Sequence, residues 1–242
     1  MQVLRGSFVA LVTPMFENGG IDYDSLKHLI NWHIENDTSG IVSVGTTGES
    51  STLSVQEHLD VIKYTVKISG NRIPVIAGSG GNSTQEAIDL TLESKNLGAD
   101  ASLLVTPYYN KPTQEGLYQH FQAVSKVSPV PIILYNVPGR TSKNMLPETT
   151  LRLANDFENI IAVKEAGNDI HQYLQLLKNK PDDFLVISGD DDLALGIILA
   201  GGAGVISVLG QAITKEFTSM INLGLQGNAK ASYAIHFKLM QL

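Results

Sequence analysis

Short apolar runs rich in β-branched residues recur along the chain at 7–13, 40–44, 74–78, 101–105, 131–135, 160–164, 184–188 and 204–208. Each is nearly continuous rather than alternating, the pattern of a strand buried on both faces. Between the runs the apolar positions switch to a helical period, and several of these stretches open on helix-start signals. Asp24 precedes Leu26, Leu29 and Ile30, and Ser54 and Ser83 are each followed three residues on by a glutamate, the capping-box spacing. Pro147-Glu148 opens another helix, and Asp191 before Leu193 and Leu195 one more. No linker or low-complexity segment interrupts the series. Strict alternation of eight strands with helices predicts an α/β fold, the (β/α)8 TIM barrel, with a doubly wound open sheet as the runner-up.

Beyond the eighth run come a helical stretch at 214–225, a Gly227-Asn228 break and a last helical pattern that reaches Leu242 without a glycine cap or polar tail. This predicts a barrel domain over 1–225 and the start of a short, truncated C-terminal helical region over 226–242, either of a longer natural protein or of a fragment. Residues 193–213 carry no charge and match a membrane span in length. Gly201, Gly202 and Gly204 divide them, however, and predict a buried helix, turn and strand.

Composition narrows the function. At 242 residues and 43% hydrophobic, the chain can bury a sizeable core. Twenty-four acidic against seventeen basic residues, net −7, argue against a nucleic acid held by bulk charge. With no cysteine, disulfides, thiolate catalysis and iron–sulfur ligation are excluded. The histidines at 28, 33, 58, 120, 171 and 236 fall on predicted helices without a ligand spacing, so no metal is expected. The N-terminus lacks a secretory leader, which predicts a cytoplasmic protein with no membrane partner.

In a barrel of this kind functional groups sit at the C-terminal ends of the strands. Those ends read Thr13-Pro14, Gly45-Thr46-Thr47-Gly48-Glu49, Gly78-Ser79-Gly80, Thr106-Pro107-Tyr108-Tyr109, Tyr135-Asn136, Lys164-Glu165, Ser188-Gly189-Asp190 and Ser207. Hydroxyls dominate, with a single lysine. Lys164 would project into an apolar mouth, where desolvation lowers its pKa and frees its lone pair for a carbonyl; taken singly, it also fits a snorkelling, ion-paired side chain. Glu165 alternates to the opposite face and is expected to pair outside the barrel. Tyr135 on the adjacent strand is the nearest acid–base group, or else a packed core tyrosine. Thr46 and Thr47 could offer hydroxyls and N–H groups to a carboxylate, or simply form a glycine-rich turn. The run from Gly78 to Ser83 is a poor dinucleotide fingerprint. Asp190-Asp191-Asp192 suggests helix capping before magnesium.

Taken in order, Gly45-Thr46-Thr47-Gly48-Glu49, Thr106-Pro107-Tyr108-Tyr109, Tyr135-Asn136-Val137-Pro138-Gly139-Arg140-Thr141 and Val163-Lys164-Glu165 resemble the dihydrodipicolinate synthase family, within the class I pyruvate aldolases. The resemblance runs from about Gly6 to the end of the chain. It implies a lyase that condenses pyruvate with L-aspartate 4-semialdehyde to hydroxytetrahydrodipicolinate, the committed step towards diaminopimelate and lysine. By the family's pattern Lys164 forms the imine, Tyr135 is the acid–base group, and Thr46 with Tyr109 completes a proton relay, the last tyrosine reaching across from a neighbouring subunit. Thr47 binds the pyruvate carboxylate, Ile206 lies near the bound pyruvate, and Arg140 holds the carboxylate of the aldehyde acceptor. No cofactor is implied, and a homodimer or homotetramer is. L-lysine as a feedback inhibitor would meet Ser50, Ser51, Val55, His58, Asn82, Glu86 and Tyr108; Val55 stands where strongly inhibited relatives often carry histidine. The alternatives are an N-acetylneuraminate lyase-like aldolase, whose branch typically has Ser-Thr for Thr46-Thr47 and lacks the arginine, and a non-catalytic small-molecule-binding barrel. One departure is local: Gly167 stands where the family commonly has threonine or serine.

Overall fold

The computed structural model describes residues 4–240. Eight parallel strands close into a barrel in sequence order: β1 (Gly6–Ala10), β2 (Gly40–Ser43), β3 (Val75–Gly78), β4 (Ala101–Val105), β5 (Ile132–Asn136), β6 (Ile160–Glu165), β7 (Leu185–Ser188) and β8 (Gly204–Ser207). The seam pairs Gly6 with Gly204 and Val9 with Ser207. All eight strand expectations hold, and the open sheet is set aside. Alternation splits the strand residues into two sets. Phe8, Val42, Ile76, Leu103, Ile133, Ala162, Ile187 and Ile206 fill the interior. Their neighbours face the surrounding helices in clusters such as that of Leu104, Phe121, Leu134, Val163 and Tyr173.

The helices are α1 (Tyr23–Glu35), α2 (Val55–Ser69), α3 (Thr84–Asn96), α4 (Gln114–Val127), the single turn α5 (Pro138–Thr141), α6 (Pro147–Asp156), α7 (Ile170–Asn179), α8 (Asp191–Leu199), α9 (Thr214–Leu225) and α10 (Ala229–Leu239). Ser54 and Glu57 form the full reciprocal capping box. Three start signals need correction. Asp22, not Asp24, caps α1, because its carboxylate reaches Ser25 N and Asp24 already lies in the first turn. Ser83 caps α3 through Glu86 N, but the return bond from the Glu86 carboxylate is absent. Asp190 caps α8 through Asp192 N and Leu193 N, which leaves Asp191 free for another task. The uncharged stretch resolves into α8, a glycine turn, β8 and a short 3₁₀ turn (Leu209–Gln211). Among the described residues no helix is long and apolar enough to cross a membrane. Tyr233, Ile235 and Leu239 of α10 pack on the cluster that α8 and α9 form around Leu195, Ile198 and Phe217.

Two buried histidines make the helical layer acid-sensitive. His33 on α1 bonds Thr38 Oγ1 at 3.1 Å and His120 on α4 bonds Thr84 Oγ1 at 2.9 Å. The second ring nitrogen of each is buried without a partner. Burial pulls both pKa values down to about 4. The unfolded chain takes up these protons below about 6.5, the folded protein not until about 4, so stability is complete above 6.5 and drains away as pH falls towards 4. At pH 5 each imidazole should cost about 1–2 kcal/mol. Urea unfolding at pH 7.5 and pH 5 measures it; equal free energies at the two pH values would show that the rings are protonated in the folded state.

Candidate active site

The C-terminal mouth of the barrel gathers side chains from β2, β5, β6, β8 and the loops after β5 and β7. Tyr135 and Lys164 are register partners on adjacent strands, so the two side chains rise into the mouth at the same height. Both are buried, at 6% and 5% exposure. The Lys164 amine lies 4.3 Å from the centre of the Tyr135 ring. Burial brings its pKa down to about 8, the Asp191 carboxylate opposing the shift and the Arg140 guanidinium adding to it. A tenth of the amine is then free near pH 7, where an ordinary lysine is almost fully protonated. The same desolvation raises the Tyr135 phenol, which the Thr46 hydroxyl and the Arg140 charge pull part of the way back.

Gly189 makes room for the lysine. A Cβ there would stand 2.8 Å from Lys164 Cε and 2.7 Å from the Ala166 methyl, so the stem of Lys164 lies directly over its backbone. Asp191 belongs to the run of three aspartates whose sequence suggests capping, yet it does not cap α8. One carboxylate oxygen accepts from Val208 N at 3.1 Å and Leu209 N at 2.8 Å, clamping the loop after β8, and the other is buried without a partner. Its charge acts on Lys164 across the mouth. Nothing in the local sequence separates it from the two aspartates beside it.

Thr46 and Thr47 occupy the turn after β2, closed by Glu49 N on Thr46 O and Ser50 N on Gly45 O. Val44 enters this turn at φ 53°, a strained value for a β-branched residue and one that marks a backbone held by its surroundings. Arg140 lies on α5, with Pro138 at its start and Ser142 in the left-handed region at its end. It borders a cleft of about 230 Å³ together with Thr46, Ser50, Val105, Tyr108 and Thr141. Among the described residues it has no carboxylate within 4.0 Å, so the guanidinium is available. Ile206 is fully buried in the interior.

Tyr109 is not brought to this site. Tyr109 is 89% exposed, its backbone sits at φ 68°, and it makes no side-chain hydrogen bond among the described residues. Around the next bend, Ser50, Ser51, Val55, His58, Glu86 and Tyr108 line a second cleft of about 110 Å³. Asn82 lies at the start of the α3 approach, its carbonyl accepting from Asn110 Nδ2. His58 is not the exposed helical residue its position suggests: it is buried, with Nε2 2.8 Å from Gly78 O. Outside the barrel Glu165 does find partners, though neutral amides in place of a cation.

The sequence matches the dihydrodipicolinate synthetase family over residues 3–242. It is 52% identical over 240 residues to the 4-hydroxy-tetrahydrodipicolinate synthase of Buchnera aphidicola subsp. Schizaphis graminum, an alignment covering 99% of this chain and 81% of that protein. Among solved structures, the chloride-inhibited dihydrodipicolinate synthase of Acinetobacter baumannii in complex with pyruvate superposes with a TM-score of 0.95 at 47% identity, over 97% of this chain and 80% of the other. The enzyme of Cyanidioschyzon merolae with lysine bound gives 0.95 at 40% identity, over 98% and 81%.

Proposed function

The chain belongs to the dihydrodipicolinate synthetase family, and from that membership we propose how its barrel mouth performs the family's reaction. The enzyme is a lyase that condenses pyruvate with L-aspartate 4-semialdehyde to 4-hydroxy-tetrahydrodipicolinate, in the diaminopimelate and lysine route. Lys164 attacks the pyruvate carbonyl as the free amine, water leaves, and the imine loses a methyl proton to become an enamine. The enamine carbon adds to the acceptor aldehyde. Tyr135 carries protons for these steps, with Thr46 as its neighbour in the relay. Thr47 holds the pyruvate carboxylate, Ile206 supplies an apolar wall beside the methyl, and Arg140 receives the acceptor carboxylate.

The observation that carries this reading is the buried Lys164 amine set against Tyr135 at equal height. Borohydride reduction in the presence of pyruvate should add one pyruvate-derived mass per chain, at Lys164. A label on another residue, or an unlabelled chain that still turns over, overturns the assignment. Arg140 favours the semialdehyde over an N-acetylneuraminate-type substrate, since it offers a bidentate seat to a carboxylate that this acceptor possesses.

Tyr109 completes the relay from a neighbouring subunit of a homodimer or homotetramer; its exposure fits a residue that serves another chain. The enzyme works in the cytoplasm. L-lysine binds the second cleft, with the uncapped Glu86 carboxylate taking its α-ammonium and Asn82 and Tyr108 its carboxylate. Ser50, Ser51 and His58 line the remainder. Val55 contributes no polar contact, and one lost hydrogen bond is worth about 0.5–1.5 kcal/mol, so inhibition is weak or partial. Calorimetry with lysine on a confirmed dimer should show binding, and Glu86→Ala should relieve inhibition while pyruvate still binds. Absence of heat at millimolar lysine removes the regulatory claim.

A further inference from the structure

Among the described residues, Lys164 and Glu165 are the only lysine, arginine, aspartate or glutamate side chains that are buried, and they are consecutive. Lys164 points into the barrel and Glu165 out of it. Glu165 pairs in register with Asn136, which follows Tyr135, so the Asn136–Glu165 pair stands one step beyond the Tyr135–Lys164 pair on the reverse face of the same two strands. Every group within reach of the Glu165 oxygens is a donor: Asn136 Nδ2 at 3.0 and 2.9 Å, Gln172 Nε2 at 2.8 Å and Gly167 N at 2.8 Å. That is the arrangement a buried carboxylate requires.

The pair also reaches the segment that follows Arg140 and the backbone that lies under Lys164. Asn136 Oδ1 accepts from Met145 N at 2.9 Å, and Asn136 Nδ2 also donates to Asn144 Oδ1 at 2.7 Å, fixing the residues that follow the Arg140 turn. The Glu165 carbonyl accepts from Gly189 N at 2.6 Å and from the Tyr173 hydroxyl. Gly189 is the backbone on which the Lys164 stem lies. Gly167 fits this frame, because its N–H is one of the donors and a Cβ there would come within 2.9 Å of Glu165 Oε1. For stability alone, a well-packed apolar pair would hold two strands at least as well as a buried charge.

We propose that Glu165 and Asn136 are a positioning pair, whose carboxylate–amide bond behind the sheet sets the Lys164 amine against the Tyr135 phenol and fixes the turn that carries Arg140. The proposal rests on the imine reading above. Glu165→Gln brings an amide N–H against the donors of Asn136 and Gln172, and Asn136→Asp sets two carboxylates face to face. Combining the two substitutions restores donor–acceptor pairing along the network once the amides of Gln172 and Asn144 both turn over.

Each single variant, checked for folding by circular dichroism, should form the borohydride-trappable imine about 10- to 100-fold more slowly at saturating pyruvate, with the half-saturating pyruvate concentration within about threefold of wild type. The double variant should recover to within about fivefold of the wild-type rate. A purely structural role would instead lower the thermal stability of the single variants and leave the saturated rate of the folded protein unchanged. Folded single variants at wild-type rate overturn the pair, as does a folded double variant that stays as slow as the singles. If a single variant does not fold, the double carries the test: folded and fast supports the pair, unfolded or slow overturns it. Failure to trap pyruvate on wild-type Lys164 overturns the imine reading itself, whereas wild-type trapping with unaffected variants removes the pair alone.

Discussion

Lys164→Ala should lose turnover by on the order of 10³-fold or more, because the side chain removed is the nucleophile and no other strand end carries an amine. The borohydride label should vanish with it, while thermal unfolding stays cooperative, since the barrel interior is held by Phe8, Ile133, Ile187 and Ile206. The wild type offers a second reading of the same group. With the amine at about 8, the rate of imine formation should climb about tenfold per pH unit below 8 and level off above it, as the reactive form is the one that has lost its proton. An imine-forming rate that keeps climbing to pH 10 would mean that the amine is solvated in the working enzyme.

Arg140→Ala should cost about 2–4 kcal/mol in transition-state binding, roughly 30- to 1000-fold in kcat/KM for the semialdehyde. Formation of the pyruvate imine should change far less, because the guanidinium stands on α5 at the outer cleft and its influence on Lys164 is through charge alone. That influence has a sign: without the cation the Lys164 pKa rises, and the pH profile of trapping shifts upward. Measuring the two half-reactions separately decides it. Loss of trapping with acceptor use intact would reverse the assignment, and efficient cleavage of N-acetylneuraminate by the wild type, with no semialdehyde condensed, would move the substrate to the lyase branch.

The strands were legible because a parallel barrel buries both faces of each one, which leaves short unbroken apolar runs, rich in β-branched residues, recurring between helical stretches. Strand alternation alone sets Lys164 inside and Glu165 outside. Asp191 was not legible: three consecutive aspartates before a helix look like capping, and one of them does cap. Its clamp on Val208 N and Leu209 N joins parts of the chain that sequence spacing does not connect. The Asn136, Asn144, Glu165 and Gln172 network was hidden for the same reason, as each amide is unremarkable in its own element and acquires meaning from the others. Glu86 shows the reverse error, in which correct spacing for a capping box yields only half the bond pattern and leaves the carboxylate facing a cleft.

The seam between β1 and β8 bears on how the chain comes to be folded at all. Its partners, such as Phe8 and Ile206, lie roughly 200 residues apart, and their pairing completes the sheet. During vectorial synthesis the first strand, Gly-Ser-Phe-Val-Ala, therefore keeps one edge unpaired until almost all of the barrel sequence has left the ribosome. An apolar edge of that kind is a template for pairing with other chains. The closed barrel has no such edge, so the exposure of this chain to pairing with others is confined to the time before β8 joins β1.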